Sequence, residues 1–456
     1  MQNSREIALT IVARVETEQA YAGIVLDTEL RRSSCDARDK ALVAELVYGV
    51  LRRRSTIDWY VQQVSNKPLK KMHPWLRRIV RMGAYQLLFL DKIPPSAAIN
   101  ESVILAGKYG RKAKLPTKTA KGVVNGILRS LHRRRDSLKR PDTLTDPAVR
   151  LAVTYSFPEW LVRRWLARLG ETGAEDACRI NNMPPTLSVR QNSLKISLVE
   201  LAEQLQARVA TVEPFPYDLH GFSLSGHPAV PDFPEYQQGF LTVQNASSML
   251  IGQILDPQPG ESVVDLCAGT GTKTTHLAEL MRNQGSILAL DVHAGKLKRL
   301  QAACRRLGVT IAQTQCADAT QFLPPSGQQY DRVLVDAPCS GLGVLRRHPE
   351  AKWTTQEADI RRLQALQQRI LHQAAACVRP GGILVYSTCT IEPEENQHVT
   401  RTFLQNHPDF HTEPANAYVP EEMHDRITQE GWLLIDPPQP VFDGFFGARL
   451  RRFPSL

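Results

Sequence analysis

The chain has 456 residues, enough for about three domains at ~150 residues each. Its 42% apolar and 22% charged residues, with 27 Gly and 30 Pro, exclude collagen-like, low-complexity and largely disordered chains. Eight cysteines without a Cys-x-x-Cys pair give neither a disulfide framework nor a zinc site, so no metal is expected. No apolar run approaches the ~18 residues of a membrane span, and residues 1–10 lack the layout of a secretory signal. A cytoplasmic protein without a membrane partner is expected.

The net charge of +10 is unevenly placed. Residues 1–140 hold 28 Lys+Arg against 12 Asp+Glu, a balance of +16, which leaves −6 for the other 316. A basic front joined to a mildly acidic rear suggests a polyanion-binding module attached to something else; a solvated basic helix surface is the plainer alternative.

In chain order, residues 1–140 read as an all-α domain. Ile7, Ile11, Val12 and Val15 recur at helical spacing, as do Ala41, Ala44, Leu46 and Val47. Pro94-Pro95 interrupts one helix, Ser96 is a cap for the next over 97–107, and 119–131 is a further helix. The basic run Arg133-Arg134-Arg135 leads into a polar linker to Asp146. Residues 149–235 read as a small α+β module, with helices over 159–169 and 198–207, a strand over 186–190, and loops with a hinge where Pro and Gly accumulate between 214 and 234.

From 236 to 456 strands alternate with helices. Strands are expected over 262–266, 287–290, 330–335 and 383–386, the last after Gly381-Gly382, with helices over 274–282 and 294–307 and a long one from Ile360 to Ala374. This rhythm gives a parallel, doubly wound, Rossmann-like α/β sheet, in which ligands bind beyond the carboxyl ends of the strands.

Chemistry is therefore sought after each strand. The first is followed by Cys267-Ala268-Gly269-Thr270-Gly271-Thr272-Lys273. Walker A fails because Leu266 stands five before Gly271, and the dinucleotide pattern fails because Thr274 replaces its third glycine. What remains is a tight glycine turn opening a helix, suited to a nucleotide-like ligand. Asp291 ends the second strand about 20 residues on, where a carboxylate accepts from ribose hydroxyls, and Asp318, after a further strand expected ahead of 330–335, could border a base. Either could equally be a helix cap or turn former. Two cysteines stand at further strand ends, in Asp336-Ala337-Pro338-Cys339 and Ser387-Thr388-Cys389, the second followed by Glu392, Glu394 and Glu395. Cys304 and Cys377 read as ordinary buried thiols, but this pair does not fit that role, and a thiolate is an effective nucleophile.

Asp336-Ala337-Pro338-Cys339-Ser340-Gly341-Leu342-Gly343, then Arg347-His348-Pro349-Glu350 and Trp353, then Tyr386-Ser387-Thr388-Cys389-Thr390 with Glu394-Glu395-Asn396, closely resemble the RNA cytosine-C5 methyltransferases of the Sun type. Val243-Gln244-Asn245-Ala246-Ser247-Ser248 and Asp443-Gly444-Phe445-Phe446-Gly447-Ala448-Arg449 match that family's opening and closing segments. In the front domain, the run from Leu88 to Pro95, Ala98-Ile99-Asn100-Glu101 and Val124-Asn125-Gly126-Ile127-Leu128-Arg129 look like a NusB-type RNA-binding domain. Three departures stand out: the glycine loop lacks the usual Ala-Pro-Gly-Gly centre, Asn245 replaces a common Asp, and Gly447 stands where an aromatic often precedes Ala-Arg.

The resemblance implies an enzyme that methylates C5 of a cytosine in ribosomal RNA, 16S in the bacterial members, using S-adenosylmethionine. It implies Cys389 as the nucleophile adding to C6, Cys339 assisting product release, and Asp336 hydrogen-bonding near N3 of the ring. Cys267, Ala268, Gly269, Thr270, Gly271, Thr272, Lys273, Asp291, Asp318 and Asp336 would bound the cofactor. The target base must be unpaired or extruded, which suits single-stranded or loop RNA, and a monomer is expected. Transfer RNA or another RNA is an alternative substrate. An RNA-binding factor with a vestigial catalytic half is another, against which the intact Cys339 and Cys389 argue. A DNA cytosine methyltransferase would use the Cys after Pro as nucleophile and would not be expected to carry a second active Cys after Ser-Thr.

Overall fold

The apolar periodicity of the first 130 residues folds as helices around one core that runs from Ile7 to Leu138. The computed structural model describes residues 3–112, 114–217, 219–225, 230–324 and 327–454. They form two compact units, Met1–Met183 with Leu345–Thr355, and Pro184–Val344 with Gln356–Leu456.

In the first unit the helices are Ser4–Glu18, Ala22–Arg32, Ala37–Arg52, Arg54–Gln62, Pro74–Phe89, Pro95–Tyr109, Thr117–Arg133, Pro147–Tyr155 and Glu159–Asn182. Asn3 and Asp36 cap their helices through side-chain oxygens, satisfying amides that have no partner inside the helix. The expected cap at Ser96 is corrected: the helix starts at Pro95, whose fixed φ suits a first turn and whose missing N–H needs no partner. The linker also carries more order than its polarity suggests. Short 3₁₀ turns occupy Arg135–Ser137 and Pro141–Thr143, and Asp146 accepts from the Ala148 amide at 2.8 Å to start the next helix. The helix read over 159–169 ends at Gly170, whose φ of 68° breaks it, and a second stretch continues to Asn182.

The second unit contains two sheets. Strands β1 (Leu187–Gln191), β2 (Thr211–Pro214), β3 (Gly221–Ser225) and β4 (Leu241–Val243) form an antiparallel sheet in the order β2-β3-β1-β4. The helix Leu198–Gln206, opened by a Ser197–Glu200 capping box, shares a core with it through Leu201, Leu205, Val189, Phe222 and Leu224. The Pro- and Gly-rich stretch read as loops therefore holds a strand, β3; residues 218 and 226–229 of it lie outside the described residues.

The larger sheet runs β10-β12-β9-β8-β5-β6-β7, with β11 paired to β12. Its strands are β5 (Ser262–Asp265), β6 (Ser286–Asp291), β7 (Ala312–Cys316), β8 (Tyr330–Asp336), β9 (Val378–Thr388), β10 (Phe410–Thr412), β11 (Leu433–Ile435) and β12 (Phe445–Arg452). β9, β8, β5, β6 and β7 are mutually parallel, as the alternation of strands and helices predicts. The expectation of an all-parallel sheet is corrected: β10, β11 and β12 are antiparallel additions on the β9 side. Strand β9 begins before Gly381-Gly382, and its register against β8 shifts between Tyr330 and Arg332 to absorb the glycines.

Both faces of this sheet are covered. Val263, Leu334, Ile383 and Val385 pack on one side with helices Ala246–Leu255, Thr272–Leu280 and Ala294–Leu307. Their neighbours Val264, Val333, Val335, Leu384 and Tyr386 pack on the other with Glu357–Ala375 and Gln397–Asn406. Successive residues point to opposite faces, so two buried faces produce the nearly continuous apolar runs seen in the sequence. Cys304 and Cys377 belong to these cores, as their apolar surroundings predict.

Candidate active site

Strands β5, β6 and β8 each end in an aspartate, and β8 and β9 lead into the two cysteines. After β5 the chain turns through Gly269 at φ 58° and Gly271 at φ 89° before entering the helix Thr272–Leu280. A Cβ at Gly271 would lie 2.4 Å from Leu300 Cγ, so that position admits only glycine in this packing. A Cβ at Gly269 would meet nothing within 4 Å, so the loop is open there, with Thr270 exposed beside it and Ala268 buried beneath.

Asp291 braces this loop. Its buried carboxylate accepts from the Gly269 amide at 3.1 Å and the His293 amide at 2.8 Å, with Lys296 Nζ 3.5 Å away. Asp318 is exposed and turned toward its own chain, where the Thr320 amide and hydroxyl both donate to Oδ1 at 2.8 Å and hold its carboxyl below the usual range. Asp265 carries no mark in the sequence that sets it apart. It is buried, accepts from Thr274 Oγ1 at 2.8 Å, and burial pushes its carboxyl up to about 7, with Asp336 adding to the rise. Burial and the carboxylates of Asp265, Asp336 and Asp291 also push the Cys267 thiol well above the usual thiol range.

Lys273 crosses to the next strand end, where its Nζ lies 2.7 Å from Asp336 Oδ2 and 5.1 Å from the Phe445 ring centre. Asp336 Oδ1 accepts from Ser387 Oγ at 2.9 Å, so residues from two other motifs fix this carboxylate. Beside it, Cys339 Sγ and Cys389 Sγ are 3.4 Å apart. The hydrogen bond with Cys389, then burial, push the Cys339 thiol well above its usual range.

The two cysteine loops are tied together along their backbones. The Gly343 amide donates to Cys389 O at 3.0 Å and the Gly444 amide to Gly343 O at 2.9 Å. Glu395, fully buried, accepts from the Ser340 amide at 2.9 Å and from Gln367 Nε2 at 3.0 Å, while Ser340 Oγ also bonds to it. Asn396, equally buried, accepts from Thr388 Oγ1 at 2.5 Å and donates to Thr390 O at 3.0 Å. Glu395 and Asn396 thus shape the loops around the thiols.

The opening and closing segments also meet. The Asn245 side chain bonds to Asp443, accepts from the Ser247 amide at 2.7 Å, and Ser247 Oγ donates to Asp443 O at 2.9 Å. Arg347, His348, Glu350 and Trp353, which belong to the same motif set, fall in the helical unit instead. There Glu350 accepts from the Ala22 amide at 3.0 Å and Trp353 Nε1 donates to Leu51 O at 2.7 Å. Among the described residues no group of three or more His, Cys, Asp or Glu is placed to hold a metal ion.

The fold and this strand edge define a Rossmann-like methyltransferase. Residues 252–451 match the family described as 16S rRNA methyltransferase RsmB/F, residues 2–133 the NusB family, and residues 157–231 the RsmF/B-like ferredoxin-like domain. A probable ribosomal RNA small subunit methyltransferase B of Bacillus subtilis (strain 168) is 38% identical over 451 residues, covering 98% of each chain. A protein of the same description from Synechocystis is 38% identical over 454 residues, covering 99% of this chain and all of its own. The crystal structure of PH0851 superposes with a TM-score of 0.84 at 29% identity, covering 99% of both chains. The chain belongs to the RsmB/F family of 16S rRNA methyltransferases and is an RNA methyltransferase. The family implies a methyl donor of the S-adenosylmethionine type.

Proposed function

We propose that the chain methylates C5 of a cytosine in small-subunit ribosomal RNA through a covalent adduct at Cys389, with S-adenosylmethionine as donor. The observation that carries this reading is the 3.4 Å contact between Cys339 Sγ and Cys389 Sγ beside Asp336. C5 of cytosine is a poor nucleophile, and a thiolate added at C6 makes it enamine-like. The thiol of Cys389, in contact with that of Cys339, would supply that nucleophile. Asp336, fixed by Lys273 and Ser387, would hold the ring near N3. Loss of the C5 proton and expulsion of the thiol restore aromaticity, and Cys339, in contact with Cys389, would assist release of the product.

The donor supplies a methyl group on a sulfonium. The residues fit it: the open position at Gly269, the helix amino terminus after Gly271 and the carboxylates of Asp291 and Asp336 suit a ligand with a ribose diol, an ammonium and a carboxylate. Cys267 to Lys273 and Asp318 would complete its surroundings. The basic domain over 1–140 would supply RNA affinity, the module over 149–235 would link it to or bind RNA beside the catalytic domain over 236–456, and the protein would act as a cytoplasmic monomer. Mapping 5-methylcytosine in 16S ribosomal RNA from cells with and without the protein tests this. One cytosine should lose its mark in its absence and regain it on complementation; an unchanged map would refute the reading.

A further inference from the structure

Arg190, in β1 of the smaller sheet, is 1% exposed, and a guanidinium so buried is costly unless its donors are matched. All of them are. Nε donates to Glu279 Oε2 at 2.9 Å, and Nη2 donates to Glu279 Oε1 at 2.6 Å and Thr275 Oγ1 at 3.3 Å. Nη1 donates to Thr272 O at 3.1 Å and also bonds to Gln244 Oε1. Glu279, Thr275 and Thr272 lie on the single helix that follows the glycine turn, and Gln244 belongs to the opening motif. An ion pair with Glu279 alone would anchor the module to the sheet domain. The fork to Thr272 O does more, because Thr272 opens the helix and adjoins Lys273.

The same end of β1 grips the next helix. Asn192, fully buried, donates to Leu307 O and to Gly239 O at 2.8 Å each, and Lys195 Nζ reaches Arg306 O at 2.7 Å. Leu307 and Arg306 close the helix Ala294–Leu307, which opens three residues after β6 ends at Asp291. One short strand and the turn after it thus hold the helices that follow β5 and β6.

We propose that Arg190 is a positioning residue for the methyl-donor loop: its planar fork on Thr272 and Gln244 sets where the turn from Gly269 to Lys273 sits. This rests on the reading that the loop holds the donor. Lysine cannot reproduce it, having no plane and three donors against five. The test is calorimetric titration of the full chain with S-adenosylmethionine, beside an RNA-binding assay with a 16S fragment. Arg190→Lys keeps a charge opposite Glu279 and loses the fork. The double variant Arg190→Met/Glu279→Leu removes the buried pair while keeping its volume apolar. Both should bind the donor about tenfold or more weakly at full stoichiometry, with RNA affinity unchanged. A purely structural role would instead lower the stoichiometry and leave Kd unmoved. That outcome, or wild-type Kd in either folded variant, overturns the proposal while the loop reading stands. Absence of donor binding in the wild type would overturn both.

Discussion

The carboxyl of Asp265 ends β5 in full burial, and its titration near 7 makes the fold sensitive to pH. Its folded pKa lies above the ordinary aspartate value of 3.8, so its favourable contribution is complete below about 4 and is lost as pH rises through about 7. Asp265→Asn cannot ionise. Relative to the wild type, its unfolding free energy should therefore rise by on the order of 2–3 kcal/mol between pH 5 and pH 8 and then level off. Denaturant titrations at both pH values check this; a pH-independent difference would mean that Asp265 titrates as an ordinary carboxyl. The sequence marks Asp291 and Asp336 because each follows a strand of recognisable apolar pattern. Asp265 is missed because the pattern extends that strand to Leu266 and leaves the aspartate inside it. Arg190 is missed for a different reason: a single arginine in a strand carries no periodic signal, and its partners are distant in sequence.

Among the elements, the loops after β8 and β9 are set by glycine contacts that leave no room. A Cβ at Gly343 would lie 2.2 Å from Gly444 O and 2.9 Å from Cys389 O, both backbone atoms. Gly343→Ala must part the two loops, and a displacement of about 1 Å at reacting groups costs ~100-fold in rate. Its turnover should fall by that order while donor binding and far-UV circular dichroism stay as in the wild type; near-normal turnover would show that the loops have slack. Of the larger sheet, four of the five parallel strands are legible because apolar runs alternate with helical periods; β7, Ala-Gln-Thr-Gln-Cys, is half-exposed and has no such run. The antiparallel β10 and β11 have three residues each, too few for a period to register, and β12 reads only as the closing motif with no strand signal of its own. Gly170 shows the opposite effect, since one glycine hides the continuation of a helix that packing restores.

At the scale of the whole molecule, the basic charge belongs to the helical unit. A groove of about 740 Å³ there has an apolar floor at Leu76, Val123 and Ile127, with Lys67, Lys71 and Arg133 among its lining residues. Replacing these three exposed cations by Ala in the full chain should lower the slope of log K for RNA against log salt by ~0.7–0.9 for each phosphate no longer neutralised. Donor affinity should not change, and an unchanged slope would place the RNA elsewhere. Deleting the unit is a poor substitute. The segment Leu345–Thr355 is built into it, with Lys352 buried on Ser156 O and Asn182 Oδ1 and Trp353 bonded to Leu51 O, and truncation would strip these partners away.

The assignment on which the chemistry turns is that Cys389 attacks the base and Cys339 completes release. Incubating Cys339→Ala and Cys389→Ala separately with 16S RNA and S-adenosylmethionine, then resolving the mixtures on a denaturing gel, tests it most directly. Cys339→Ala should accumulate a protein–RNA adduct, and Cys389→Ala should form none and transfer no methyl group while still binding the donor. An adduct in Cys389→Ala, or methyl transfer by it, would contradict the account and assign the attack to Cys339.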